Sequence, residues 1–310
     1  MKKSHIPILV QEWIEFLDES RLKVYVDGTL GAGGHAKAVL ESHGEIETFI
    51  GIDQDPHALE LAGKELESWE KKTTLINDNF VNIEEILTSR GIDKIDGILL
   101  DLGVSSMQLD QGERGFSFRL EGPLDMRMDP EKNLSAKLVV NTWPESDLGR
   151  IFREYGEERQ WKRAARAIVE GRKEKPLETT KDLVEVLAPA IKTHKKKDKH
   201  PATKIFQALR ICVNSELEVL RQTLPKIVQR LRHGAVFGVI TFHSLEDRIV
   251  KNFFRDEASD KQNTSGLAGL FLEKEPSVSL LSRKPVKPSD EEIEQNPRCR
   301  SAKLRAVMKR

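Results

Sequence analysis

The chain has 310 residues, enough for a sizeable core in one large domain or two. Its net charge is zero, with 32% charged and 6% aromatic residues, so total charge argues neither for nor against a nucleic-acid partner. Two cysteines, Cys212 and Cys299, exclude a disulfide framework and a Cys-x-x-Cys zinc pair, and no apolar run approaches the ~20 residues of a membrane span. The apolar stretch 6–10 is broken by Gln11 and Glu12, too short for a signal peptide, so the expectation is a reduced, cytoplasmic protein.

Along the chain, Val24–Asp27, Thr48–Asp53, Thr73–Asn77 and 97–102 are short, apolar or β-branched runs separated by helical patterns. Strand alternating with helix predicts βαβ units and a parallel sheet. Residues 35–42 form the first crossover helix, and the next, from Pro56, places Leu59, Ala62 and Leu66 on one stripe. After Leu102 the strands stop. Ser146 is placed to cap a helix ending at Gly156, residues 157–170 make a second ending at Gly171, and Thr180 caps a third. Pro201 starts a long one through Asn214, and the following helix is interrupted at Pro225 and ended by Gly234. The strand pattern resumes at 235–242, followed by a helix from Ser244 through Phe254, a Gly/Ser-rich loop over 256–276, and a closing antiparallel pair at 277–283 and 301–309. The predicted fold is α/β, a Rossmann-like sheet formed by residues 1–104 and 216–310, with an all-helical domain, 105–215, inserted.

The loop after the first strand carries the chemistry. Asp27-Gly-Thr-Leu-Gly-Ala-Gly-Gly-His35 contains Gly31-x-Gly33-x-x-Ala36, which fits a dinucleotide loop, with Asp53 about 20 residues on. A pyrophosphate, however, would meet the carboxylate of Asp27 at the strand end. S-adenosylmethionine carries a sulfonium and an ammonium, both attracted by an acid. One such contact at ~4 Å and an effective dielectric of about 20 amounts to about 4 kcal/mol before desolvation, so the sign of the charge decides. Asp101 ends the fourth strand, and ligands of open parallel sheets collect at strand carboxyl ends, so Asp27, Asp53 and Asp101 are expected to converge. Gly31, Gly33 and Gly34 let the backbone approach the ligand, Asp53 takes the ribose hydroxyls, and Phe80 lies against the adenine or else in the core. No Gly-Lys-Ser/Thr follows, which excludes a phosphate P-loop.

Nine blocks then fall in order: Asp27–His35 as above, Asp101-Leu-Gly-Val-Ser-Ser106, Glu113-Arg-Gly-Phe-Ser-Phe118, Gly122-Pro-Leu-Asp-Met-Arg-Met-Asp129, Tyr155-Gly-Glu-Glu-Arg159, His200-Pro-Ala-Thr203, Asn214-Ser-Glu-Leu217, Phe242-His-Ser-Leu-Glu-Asp-Arg248 and Asn296-Pro-Arg-Cys-Arg-Ser-Ala-Lys-Leu304. Together they resemble the bacterial RsmH (MraW) methyltransferases, over nearly the whole chain. That family methylates N4 of a decoding-centre (P-site) cytidine in 16S rRNA of the small ribosomal subunit. The resemblance implies that the sheet is that of a class I methyltransferase, that the helical insert 105–215 serves RNA recognition, and that Gly33, Gly34, His35, Asp53, Phe80, Asp101 and Gln108 contact S-adenosylmethionine.

Cytosine N4 is a weak nucleophile because its lone pair is delocalised into the ring, so an acceptor for its hydrogens is needed, with the reacting atoms ~3–3.5 Å apart and in line. Asp101 is the first candidate, with the carbonyls of Leu102 and Gly103 beside it. Asp125 is the second. His243 at a strand end either touches the base or is structural, and His243-Ser244 is no hydrolase pair because the Gly-x-Ser-x-Gly elbow is missing and Ser244 stands three before Asp247, as a helix cap should. No histidine shows metal-ligand spacing. Between Arg150 and Arg210 there are seventeen Lys/Arg against nine Asp/Glu. Arg159, Lys162, Arg163 and Arg166 recur at helical spacing and Lys195, Lys196, Lys197 and Lys199 form a run, giving candidates for phosphate contacts and salt-sensitive binding. Trp161 and Phe206 read as core, with stacking on a base as the lesser alternative for either. The target base must be splayed out to react. The competing readings are a nicotinamide-dependent dehydrogenase on the same glycine loop, and an rRNA-binding assembly factor with a vestigial crevice.

Overall fold

The computed structural model describes residues 7–18, 20–191, 200–263 and 271–310. Two compact units divide the chain, one of Met1–Gly103 with Leu217–Arg310, the other of Val104–Glu216.

The first unit is built on β1 (Val24–Asp27), β2 (Thr48–Asp53), β3 (Thr73–Asn77), β4 (Ile95–Asp101), β5 (Leu231–Thr241), β8 (Val278–Leu280) and β9 (Lys303–Lys309), with a separate ribbon of β6 (Lys261–Asn263) and β7 (Phe271–Glu273). The sheet order is β3-β2-β1-β4-β5-β9-β8. Strands β1 to β5 pair in parallel, and β9 runs antiparallel between β5 and β8. This is the Rossmann-like α/β sheet expected. The chain winds outward from β1 to β3 and then returns to the other side of β1 as β4, which makes the carboxyl ends of β1 and β4 the switch point where such sheets take ligands.

Parallel strands are covered on both faces, so their sequences are continuously apolar. Val26, Ile50, Ile98 and Phe237 pack with Leu224, Val250 and Phe254 in one layer. Tyr25, Phe49, Leu99 and Ile240 alternate with them and pack with Trp13, Leu17 and Val39 in the other. The buried Trp13 indole donates to the Tyr25 hydroxyl at 2.9 Å, so its one polar atom is satisfied. Gly238 lies beneath that ring, where an added Cβ would stand 2.2 Å from Trp13 Cζ3. Gly238→Ala is therefore expected to destabilise the protein by about 1–3 kcal/mol through overpacking, read as a lowered melting temperature.

The structure departs from the sequence reading in three places here. The helix Glu216–Arg230 runs through Pro225, stops at Arg230, and leads straight into β5. Gly234 does not end it. It sits inside β5 at φ +80°, where pairing slips from Ile95↔Leu231 to Gly97↔Val236, and a glycine takes the left-handed turn of that bulge. The expected loop over 256–276 contains β6 and β7, paired antiparallel, and its remainder at 264–270 lies outside the described residues.

The second unit packs the helices Ala136–Thr142, Glu145–Glu154, Trp161–Glu174, Thr180–Leu187 and Ala202–Asn214 around Leu148, Ile151, Phe152, Ile168, Leu183 and Leu209. Several starts differ from the sequence reading. Pro144, not Ser146, is the N-cap of Glu145–Glu154. The next helix opens at Trp161 rather than at 157, because Glu157 adopts a left-handed φ of 47°. Thr179, not Thr180, caps the third, in a reciprocal box with Asp182. No helix among the described residues is long and apolar enough to cross a membrane.

Candidate active site

The register of the sheet brings the three acids together. Asp27 pairs with Gly51 on one side and Leu99 on the other, and Asp53 and Asp101 each stand two residues further along. Side chains alternate with a period of two, so Asp27, Asp53 and Asp101 project from the same face at adjacent strand tips.

Loop hydrogen bonds fix the carboxylates of Asp27 and Asp53. Asp27 Oδ1 accepts the Thr29 N–H at 3.1 Å, and Thr29 Oγ1 in turn accepts the Asp101 N–H at 2.5 Å. Asp53 accepts from Gly31 N at 2.8 Å and Asp55 N at 2.9 Å. Asp101 is different. Its Oδ1 is sealed from solvent with no hydrogen-bond partner among the described residues, while Oδ2 lies 3.6 Å from His35 Nδ1. A buried acceptor left in that state is worth about 1–3 kcal/mol of lost stability.

Electrostatics follow from this crowding. Burial pushes the Asp27 carboxyl up to about 7 against the pull of His35, with Asp101 and Asp53 adding to the rise. Burial pushes Asp101 to about 7, helped by the charge of Glu246. Burial also lifts Asp53 to about 6, opposed by the N–H groups of Asp55 and Gly31. His35 is lowered by its own burial and raised by Asp27. Its Nε2 stands 2.8 Å from the Ile8 carbonyl, which only accepts, so Nε2 carries a hydrogen. In a neutral ring Nδ1 then turns a lone pair toward Asp101. That approach is attractive only when the pair holds one additional proton. The His35 side chain is thus buried beside the acids at the start of the helix Gly34–Ser42.

Such a cluster of acids attracts a cation. S-adenosylmethionine, with its sulfonium and ammonium, fits the donor set: crowded carboxyls, one of them orphaned, beside a loop in which Gly31 and Gly33 hold φ of 54° and 87°. A Cβ at Gly31 would meet nothing within 4 Å, so that position is open, whereas one at Gly34 would contact Pro7.

Other expected residues have different surroundings. Phe80 is 9% exposed and packs with Val26 and Ile52, the core alternative of its two readings. Asp125 does not offer a free carboxylate: Oδ1 and Oδ2 take Arg127 Nε and a terminal nitrogen at 2.7 and 2.8 Å, and Arg127 holds the carboxyl below the usual range against its burial. His243, not Ser244, is the N-cap of the helix Ser244–Glu257. Its Nδ1 accepts from Glu246 N, and its Nε2 lies 3.0 Å from Glu246 Oε1, without the alignment of a hydrogen bond. Both ring nitrogens lie against Glu246, which fits the structural alternative of its two readings. Gln108 is buried in the second unit, its Oε1 accepting from Ser105 N in a capping box. Arg159, Lys162, Arg163 and Arg166 are exposed there, while Lys195, Lys196, Lys197 and Lys199 lie outside the described residues. Trp161 is only partly buried, between the Arg153 guanidinium at 5.4 Å and the Lys162 ammonium at 5.2 Å. Sequence reasoning missed Thr29, which ties Asp27 to Asp101, and Glu246, whose buried Oε2 takes the Phe242 and His243 N–H groups. For Glu246 the capping-box spacing was the available signal; for Thr29 there was none.

Residues 2–310 match the MraW methylase family. The chain is similar to ribosomal RNA small subunit methyltransferase H of Protochlamydia amoebophila (strain UWE25), 55% identical over 98% of this chain and 97% of that one. The protein of the same name from Carboxydothermus hydrogenoformans is 46% identical over 100% and 99%. Among solved structures, an rRNA methylase from Streptococcus thermophilus aligns at 12% identity over 100% of this chain and 98% of its own, with a TM-score of 0.44, a likeness too slight to carry an argument. With the family matched from end to end and the acids gathered at the switch point, the chain belongs to the MraW methylase family and is an S-adenosylmethionine-dependent methyltransferase.

Proposed function

We propose that this methyltransferase acts in the cytoplasm on 16S rRNA of the small ribosomal subunit, at N4 of a P-site cytidine. The observation that carries the reading is the trio Asp27, Asp53 and Asp101 on one face at the switch point, with Asp101 Oδ1 unpartnered. The shared name of the two relatives supports the substrate class. Asp27, Asp53 and Asp101, with the backbone of Gly31 and Gly33, hold the cofactor. Bound there, S-adenosylmethionine supplies an electrophilic methyl carbon on a cationic sulfur.

The chain's own residues do the rest. Asp53 accepts from the ribose hydroxyls with the lone pairs that Gly31 and Asp55 leave open. Thr29 keeps Asp27 and Asp101 in fixed relation. Asp101 accepts an N4–H hydrogen, which localises the amine lone pair, and a carboxyl raised to about 7 is suited to hold the proton that the amine gives up. Arg159, Lys162 and Arg163, together with the Lys195, Lys196 and Lys197 run, neutralise phosphates of the RNA.

The test is to incubate purified small subunits with methyl-labelled S-adenosylmethionine and this protein, then digest and map the RNA by nucleoside mass spectrometry. One N4-methylcytidine at a single decoding-centre position is expected. Label on another base, or on no nucleotide, contradicts the proposal.

A further inference from the structure

Taken by itself, the helical unit has an open cavity of about 530 Å³ lined by Phe118, Arg119, His200 and Thr203. The rings of Phe118 and His200 stack at 4.6 Å and 12°, and Phe206 meets Phe118 edge-on at 5.6 Å. This stack is held in place. Phe206 is buried in the unit's core, and His200 Nδ1 accepts the Ala202 N–H at 3.2 Å at the start of the helix Ala202–Asn214. With Nδ1 accepting, the neutral ring carries its hydrogen on Nε2, the nitrogen that the cap does not use. His200 is exposed even though it stacks on an aromatic ring. Arg119 is also exposed, and no carboxylate partner for it is found among the described residues.

A satellite core would bury both rings, and a simple anion site would need neither. A fixed, exposed π-face beside a guanidinium that meets no carboxylate among the described residues matches a flat heteroaromatic group that carries a negative charge. We infer that this cavity binds one unstacked nucleotide of single-stranded RNA, with its base on the Phe118–His200 stack and its phosphate on Arg119. The Thr203 hydroxyl is placed to meet the base edge or a 2′-OH. The inference rests on the RNA substrate proposed above and deepens it. It assigns a base contact to a unit whose exposed basic helix Trp161–Glu174 supplies only phosphate contacts.

The test uses the full chain and an eight-nucleotide single-stranded RNA of mixed pyrimidines, with binding followed against salt. His200→Asn keeps an acceptor for the Ala202 N–H and removes the ring, so it is expected to weaken binding about tenfold, while His200→Tyr retains affinity. Arg119→Gln is expected to weaken binding and to lower the slope of log K against log salt by about one. An oligonucleotide with abasic positions should bind wild-type and His200→Asn protein alike. If wild-type protein binds the RNA and methylates small subunits, but His200→Asn and Arg119→Gln bind as well as wild type, the nucleotide site is wrong and the RNA substrate stands. If wild-type protein neither binds nor methylates the RNA, the functional reading itself falls.

Discussion

Asp101→Asn is expected to slow methyl transfer by at least about a hundredfold and, in the same protein, to raise the melting temperature of the cofactor-free chain at pH 8. The two effects have one cause. The Asp101 carboxylate is held in a crowded pocket with Oδ1 unpartnered and the charges of Asp27 and Glu246 nearby, so in the empty protein it is a source of strain. An amide of the same shape carries no charge to desolvate, and its NH₂ can donate where the acid could only accept. With about a fifth of the Asp101 side chain exposed, solvent screening limits that gain to about 1–2 kcal/mol. Activity moves the other way. One charge contact to a cation at ~4 Å amounts to about 4 kcal/mol at an effective dielectric of about 20, and even two-thirds of it corresponds to about a hundredfold in rate. Single-turnover rates on small subunits and thermal melts at pH 8 measure both. A wild-type rate in Asp101→Asn would falsify the assigned role, and a lowered melting temperature would show that the acid is a structural partner rather than a strained one.

What the sequence made legible divides along physical lines. Strands β1, β2 and β3 were read to the residue, because apolar runs closed by Asp27, Asp53 or Asn77 carry their own boundaries. Convergence of the acids was readable too, since it needs only a parallel register and strand ends. The misread features depend on pairing partners, side-chain contacts or turn dihedral angles that residue type and spacing do not fix. Gly234 reads as a helix stop until its pairing partner shows it to be a bulge in β5. Asp125 reads as an acceptor until Arg127 is found wrapped around it. Ser244 is the preferred cap by type, and only the dihedral angles of the turn show that His243 fills the position. The hydrogen bond from Asp101 N to Thr29 Oγ1 joins residues 72 apart, a separation over which sequence spacing carries no signal.

Cofactor affinity is expected to fall as pH drops from 8 to 6, by up to about tenfold per pH unit for each proton taken up, and binding near pH 7 is expected to release protons. The groups that face one another from β1, β2, β4 and the following helices are Asp27, Asp53, Asp101, His35, Asp55 and Glu246. Of these, Asp27 and Asp101 stand at about 7 and Asp53 at about 6 in the empty protein, and His35 is displaced downward. A cationic ligand prefers ionised carboxylates, so protons and cofactor compete below pH 7. The stability of the empty protein runs in the opposite sense. A carboxyl whose folded value lies above its unfolded value of 3.8 leaves the folded state holding more protons between the two. The contribution of these acids is therefore fully present below about pH 4, is lost as pH rises through about 7, and is flat beyond. Titration calorimetry in buffers of different ionisation enthalpy counts the released protons, and melts from pH 5 to pH 8 follow stability with and without cofactor. The gap between the two melting curves should widen with rising pH, because the cation restores at pH 8 what the empty cluster loses there. A dissociation constant unchanged from pH 6 to 8 with no proton release would mean that these acids do not face the cofactor's charge, however well their register aligns them.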